Sequence, residues 1–248
     1  MPFTFAHPAI FIPLEKKLNR KFSTTGLIIG SMVPDFEFFL KMRTGENIGH
    51  HWYGVFLFDI PLTIVICYLF HFLLKGMIIN NSPDWFYQRF SKWVNFDWNN
   101  YVKQNKLIVF SSIVLGIFSH LFLDAFTHED GFFVEKISFL KSDIILLNFN
   151  TNTYMLLQIS ESVLGLYLVF QFVRFMPVNS NYRVKTDYLL WLPTAILTLS
   201  FFMLRLLLMP QYMKFWDLFM ALMGSLIYSF LLIGLFKKVS ETFSWQVE

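Results

Sequence analysis

Leu107-Ile-Val-Phe-Ser-Ser-Ile-Val-Leu-Gly-Ile-Phe-Ser-His-Leu-Phe-Leu-Asp-Ala-Phe-Thr-His128 is apolar for most of its length and turns polar at one end. As a helix rising about 1.5 Å per residue, it is long enough to cross a hydrocarbon core of about 30 Å. His120, Asp124 and His128 fall four and four apart, so each steps about 40° from the last and the three share one face. Imidazole nitrogens and carboxylate oxygens are ligands that a Zn²⁺-like ion accepts at about 2 Å. An Asp and two His closing a lipid-like helix are costly unless they are paired or bound to a metal. The competing reading is a polar helix end whose groups satisfy one another.

Composition supports a membrane setting. Mean hydropathy is +0.50, and 55% of the 248 residues are hydrophobic against 15% charged, which is too apolar for an ordinary soluble domain. Thirty-two Phe and seven Trp suit lipid-facing and interfacial surfaces. A net charge of +3, spread through the chain, leaves no footprint for nucleic acid. The one cysteine, Cys67, lies in a hydrophobic run and excludes a disulfide framework or a Cys-based zinc site. The first residues lack a basic stretch followed by an apolar core, so no cleavable signal peptide is expected.

The expected fold is all-α: a polytopic membrane helix bundle forming a single membrane domain over 1–248. Five full spans are expected at about 54–79, 107–127, 154–175, 187–209 and 215–236. Before them, Gly26 to Leu40 is too short to span comfortably and is broken by Pro34, which predicts a short re-entrant or spanning helix. Lys16, Lys17, Arg20 and Lys21 suit a headgroup surface. Residues 82–105, rich in aromatics and charges, predict an amphipathic helix lying in the interface. The loop 128–153 could fold over the polar end of the second span.

With spans alternating in direction, Asp59, His120, Asp124, His128, Glu161, Arg205 and Asp217 all fall toward one side. Orientation depends on whether segment 24–40 crosses. A dip that returns keeps His7, Asp35, His50 and His51 with the focal motif. Adjacent residues on a helix diverge by about 100°, so only one of His50 and His51 is expected to be a ligand. Asp59 could support a ligand histidine, and Glu161 and Arg205 are read as supporting or structural groups. His71 is read as structural. Four or five N/O ligands without a thiolate suit Zn²⁺ first, and Mn²⁺ or Fe²⁺ next. Lys41 and Arg43, near the His pair, could steer an anionic headgroup.

Pro2-Phe-Thr-Phe-Ala-His-Pro-Ala9, Gly30-Ser-Met-Val-Pro-Asp-Phe-Glu37, Gly49-His-His51 with Gly54-Val-Phe-Leu-Phe-Asp-Ile-Pro61, Ser119-His-Leu-Phe-Leu-Asp-Ala-Phe-Thr-His128 and Leu157-Gln-Ile-Ser-Glu-Ser-Val-Leu-Gly165 together resemble a bacterial integral-membrane family, domain of unknown function 4184. These motifs cover 1–165. More distantly, they are similar to YdjM-type membrane-bound metal-dependent hydrolases and, through those, to zinc-dependent phospholipases C. The resemblance implies metal-ligand roles for His7, Asp35, His50 or His51, His120 and Asp124, with His128 one turn beyond. Glu37, where such hydrolases often carry Asp, and His51 are the catalytic candidates. It further implies a bacterial inner-membrane location and membrane lipid, or a phosphorylated or lipid-linked small molecule, as partner. Two readings follow. One is a metal-dependent hydrolase with a His/Asp site at one membrane face. The other is a non-enzymatic transporter or scaffold whose polar cluster is structural, although a transporter would be expected to show paired broken helices.

Overall fold

A computed structural model of the protein describes residues 3–14, 21–146, 149–179 and 190–244, with backbone only over 241–244. Lys16, Lys17 and Arg20 of the expected headgroup cluster lie outside the described residues. The described residues are mostly helical. Five helices are long and apolar enough to cross a membrane: Trp52–Asn80, Lys106–Lys136, Thr153–Arg174, Trp191–Leu208 and Phe215–Ser240. This is the architecture of a multi-pass integral membrane protein, and the five sit where the hydropathy placed them.

The segment around Pro34 forms two short helices, α1 (Thr24–Gly30) and α2 (Val33–Lys41). Neither is near the roughly 20 residues a span needs. Helix α3 (Trp52–Asn80) is interrupted by two π turns, Val55–Asp59 and Phe70–Leu74. The expected interfacial helix is two seven-residue pieces, α4 (Asp84–Phe90) and α5 (Trp98–Gln104), with a 3-10 turn following the first. The break falls before Asp97, whose Oδ1 accepts from the Asn100 N–H at 3.0 Å and starts a new helix. Helix α6 (Lys106–Thr127) carries the focal motif. The loop after it holds α7 (Phe132–Lys136), α8 (Ser138–Lys141) and a small antiparallel ribbon, β1 (Asp143–Leu146) with β2 (Phe149–Asn152). Helices α9 (Thr153–Arg174), α10 (Trp191–Leu208) and α11 (Phe215–Ser244) complete the chain.

By contact the chain divides into two compact units interleaved in sequence. The first comprises Met1–Asp35, Ile48–Ile64 and Val102–Met176; the second comprises Phe36–Asn47, Val65–Tyr101 and Pro177–Glu248. In the first unit, α1 lies against α6 at near-backbone contact. A Cβ on Gly30 would stand 2.6 Å from the Ile113 carbonyl, and one on Gly116 would stand 2.7 Å from that of Leu27. Small residues spaced by four allow such approach between membrane helices. Ser112 Oγ accepts from the Ser23 N–H at 2.7 Å and pins the start of α1. The N-terminal 3-10 segment Thr4–Leu14, kept from α-geometry by Pro8 and Pro13, packs on α9. There a Cβ on Gly165 would meet Ala6 Cβ at 2.8 Å, and Ser162 Oγ accepts from the Phe3 N–H.

In the second unit, α10 packs along α11. Buried Arg205 donates through Nε to the Met42 carbonyl at 2.9 Å and through Nη1 to the Tyr212 carbonyl at 2.6 Å. Asp217 Oδ1 accepts from the Thr44 N–H and hydroxyl. Arg205 thus ties the turn after α2 to the loop between α10 and α11, and Asp217 ties the same turn to the start of α11. Arg205→Met is expected to strand both carbonyls and lower stability by about 2–4 kcal/mol. Thermal unfolding in detergent reads this, and an unchanged midpoint would remove the clamp role.

Candidate metal centre

Four elements of the first unit deliver the cluster. The 3-10 segment brings His7, the start of α2 brings Asp35, the turn before α3 brings His50, and the end of α6 brings His120, Asp124 and His128. His7, Asp35, His120 and Asp124 are buried, while His50 and His128 keep 19% and 24% of their side chains exposed and form the open end. His50 reaches the cluster because Gly49 has no side chain. A Cβ there would come within 2.9 Å of both the Pro34 carbonyl and Asp59 Oδ1. Asp59, on the first π turn of α3, is buried against Gly49.

The hydrogen bonds fix which atoms face inward. His120 Nδ1 lies 2.8 Å from the Ser31 carbonyl, which can only accept, so Nδ1 carries a proton and Nε2 is the atom turned toward the two carboxylates. That Nε2 faces Asp124 Oδ2 at 3.3 Å and Asp35 Oδ1 at 3.6 Å. Asp35 Oδ2 is held by the Thr4 hydroxyl at 2.7 Å, which turns Oδ1 toward His120 and His50. His50 Nε2 stands 3.1 Å from Asp124 Oδ2 and 3.6 Å from Asp35 Oδ1. Imidazole nitrogens and carboxylate oxygens thus converge on one buried point, where His50 Nε2 is hydrogen-bonded to Asp124 Oδ2. Among the described residues His120 Nε2, Asp35 Oδ1, Asp124 Oδ1 and both His7 nitrogens have no hydrogen-bond partner. Such a group of acceptors is unfavourable unless a cation or a proton lies between them.

The spacing fits an ion. Neighbouring ligands about 2.1 Å from a common metal lie roughly 3.0–3.4 Å apart, whether the arrangement is octahedral or tetrahedral. The four edges above run from 3.1 to 3.6 Å. Two buried triads could each hold a metal ion: His7 with Asp35 and His120, and His50 with His120 and Asp124. Within each triad the ligand atoms lie within 4.8 Å of one another. His7 stacks on His120 with ring centroids 3.9 Å apart. Burial, and then His120 beside it, push the His7 imidazole down to about 3, so it is neutral and able to ligate at physiological pH. His128 donates from Nδ1 to the Asp124 carbonyl at 3.2 Å and closes α6 as its C-cap, one turn from the triads.

Of the adjacent pair, His50 turns inward while His51 is exposed and stacks on Tyr53. Glu37 is buried and paired with Lys41, so both the catalytic candidate and one of the two steering cations are engaged with each other. The other cation, Arg43, lies 4.8 Å over the Tyr212 ring. Glu161 lies on the half-buried face of α9 with Oε2 buried, one turn before Gly165 and its contact with Ala6. Thr4 and the Ser31 carbonyl, which orient Asp35 and His120, were not among the expected site residues. Thr4 was visible three residues before His7, but its role depends on a contact across 31 residues. Thr4→Val preserves its shape and removes the donor. It is expected to weaken metal retention roughly tenfold or more, read by competition with a chelator, and unchanged retention would deny Thr4 the role.

A family model described as "Domain of unknown function (DUF4184)" matches residues 1–235. No curated protein and no solved structure matches the chain.

Proposed function

The chain belongs to the DUF4184 family, and from that premise and the buried His/Asp cluster we propose that it is a membrane-embedded, metal-dependent hydrolase of phosphate esters carried by lipids or lipid-linked molecules. The observation that supports this reading is the convergence of His120 Nε2, Asp35 Oδ1 and Asp124 Oδ2 within ligand spacing of one another, at an end where His50 and His128 are partly open. A divalent ion bound there, Zn²⁺ in the first instance, would bring the pKa of a bound water to about 7 and polarise a phosphoryl oxygen. His7, Asp35, His50, His120 and Asp124 would hold it, with Thr4 and the Ser31 carbonyl fixing the carboxylate and the imidazole tautomer. The partly exposed His50 and His128 border the side from which substrate and water would enter. Membrane lipid is the natural partner of a site at the end of spanning helices, and the family resemblance points to the bacterial cytoplasmic membrane.

The test is hydrolysis by purified protein reconstituted in vesicles. Phosphatidic acid, lipid pyrophosphates and phosphodiester phospholipids would be offered with Zn²⁺ or Mn²⁺ and, separately, after chelation. Turnover that stops on chelation and returns with metal is the expected result. Metal-loaded, folded protein inert on every phosphoester would leave the cluster as architecture.

A further inference from the structure

The second unit contains a cavity of about 370 Å³, formed between α3 and the connector into α5. Tyr68, His71 and Phe72 line it from the helix, Phe96 and Asp97 line it from the connector, and Trp98 lines it from the start of α5. The His71 ring lies flat on Trp98, with centroids 4.4 Å apart and planes 5° apart, and Phe96 stands 5.7 Å from the same imidazole. Helix α3 leaves α-geometry here, since the π turn Phe70–Leu74 carries two of the lining residues. Single π turns inside α-helices occur frequently at functional sites.

The lining has a definite electrostatic character. Aromatic faces are the negative pole of the ring quadrupole, and a carboxylate stands among them. Among the described residues, no Lys or Arg lines the cavity. Two lysines flank it. Lys75 Nζ, donating to the Phe96 carbonyl at 2.6 Å, lies 5.6 Å from the Phe96 ring centroid, and Lys238 Nζ lies 5.2 Å from that of Phe72. With one face of Phe96 under Lys75 and one face of Phe72 under Lys238, the cavity suits a zwitterion whose ammonium lies toward Asp97 and the Tyr68 ring and whose phosphate lies toward the lysines.

Position selects a lipid over a soluble zwitterion. Phe72 is 63% exposed and Tyr68 40% exposed on the flank of a membrane-spanning helix. Phe72 lies eight residues from the Asn80 end of α3, or about 12 Å. The 29 residues of α3 measure about 43 Å, which exceeds a hydrocarbon core of about 30 Å and leaves its ends in the headgroup layers. The cavity therefore lies near the boundary between headgroups and acyl chains. We propose that it binds the ammonium-bearing headgroup of a zwitterionic phospholipid. This site shares no residue with the metal centre and does not depend on it.

The experiment is native mass spectrometry of the full chain in detergent, with phosphatidylethanolamine, phosphatidylcholine and phosphatidylglycerol of identical acyl chains. Retention of the two ammonium lipids should exceed that of phosphatidylglycerol roughly tenfold. Asp97→Asn keeps the helix cap while removing the charge, and Phe72→Ala alters an exposed ring. Each should cut the preference roughly fivefold or more. Equal retention of all three lipids, which an acyl-chain groove would give, overturns the proposal. So does a preference for phosphatidylglycerol, or a preference that both variants keep.

Discussion

Protein purified in detergent and supplied with Zn²⁺ is expected to retain close to one ion per chain by plasma mass spectrometry, and the His120→Ala/Asp124→Ala variant less than about a tenth of that. The expectation follows from shared donors. His120 Nε2 belongs to both triads and Asp124 to one, so the double substitution leaves neither triad intact. Stability then separates a metal centre from a hydrogen-bonded cluster. At 100 times its dissociation constant, a bound ion adds about 2.7 kcal/mol to wild-type stability. Asp124→Asn should abolish that gain. In metal-free buffer the same variant should be no less stable than wild type, because the amide can keep the hydrogen bond to His50 Nε2 with the ring's tautomer reversed, and it no longer sets a second carboxylate beside Asp35. Were the cluster a proton-sharing structural network, Asp124→Asn would instead destabilise the protein in either buffer, and wild type would unfold at the same temperature with and without metal.

Gly30→Val should be nearly as damaging, although Gly30 touches no ligand. Its added Cβ would stand 2.6 Å from the Ile113 carbonyl and 3.3 Å from the Gly116 Cα. Both neighbours are backbone, so the strain can be relieved only by moving α1 away from α6. Overpacking of this kind costs about 1–3 kcal/mol and sometimes more. The displacement would also carry Ser31, whose carbonyl orients His120. The expected readout is a lowered unfolding temperature together with loss of bound metal. Gly76→Ala is the control, since a Cβ there meets nothing within 4 Å and alanine is the better helix former. A Gly30→Val protein that is monodisperse, as stable as wild type and fully metal-loaded would show that close packing of α1 on α6 does not build the site.

Hydropathy alone located the five long helices, because crossing a bilayer demands an unbroken apolar stretch and composition reports it directly. Local spacing was sufficient to put His120, Asp124 and His128 on one helical face, while the break at Pro34 left 24–40 readable as either re-entrant or spanning until α1 and α2 were seen as two short helices. The expected single interfacial helix divided at Asp97, since a local cap outweighed the amphipathic pattern. In the loop 128–153, which the sequence left without secondary structure, β1 and β2 pair through Ile144 and Ile145 opposite Thr151 and Asn150. Which of two adjacent histidines turns inward was not legible, because it depends on Gly49 lying against Pro34 and Asp59. Nor was the role of Thr4, which depends on a contact with Asp35 across 31 residues. The sequence by itself therefore determined the membrane-spanning elements and the type of ligand chemistry they carry. The meeting of His7, Asp35, His50, His120 and Asp124 at one point was decided only in the tertiary structure, because glycine-mediated backbone approach and hydrogen bonds between distant residues leave no periodicity along the chain.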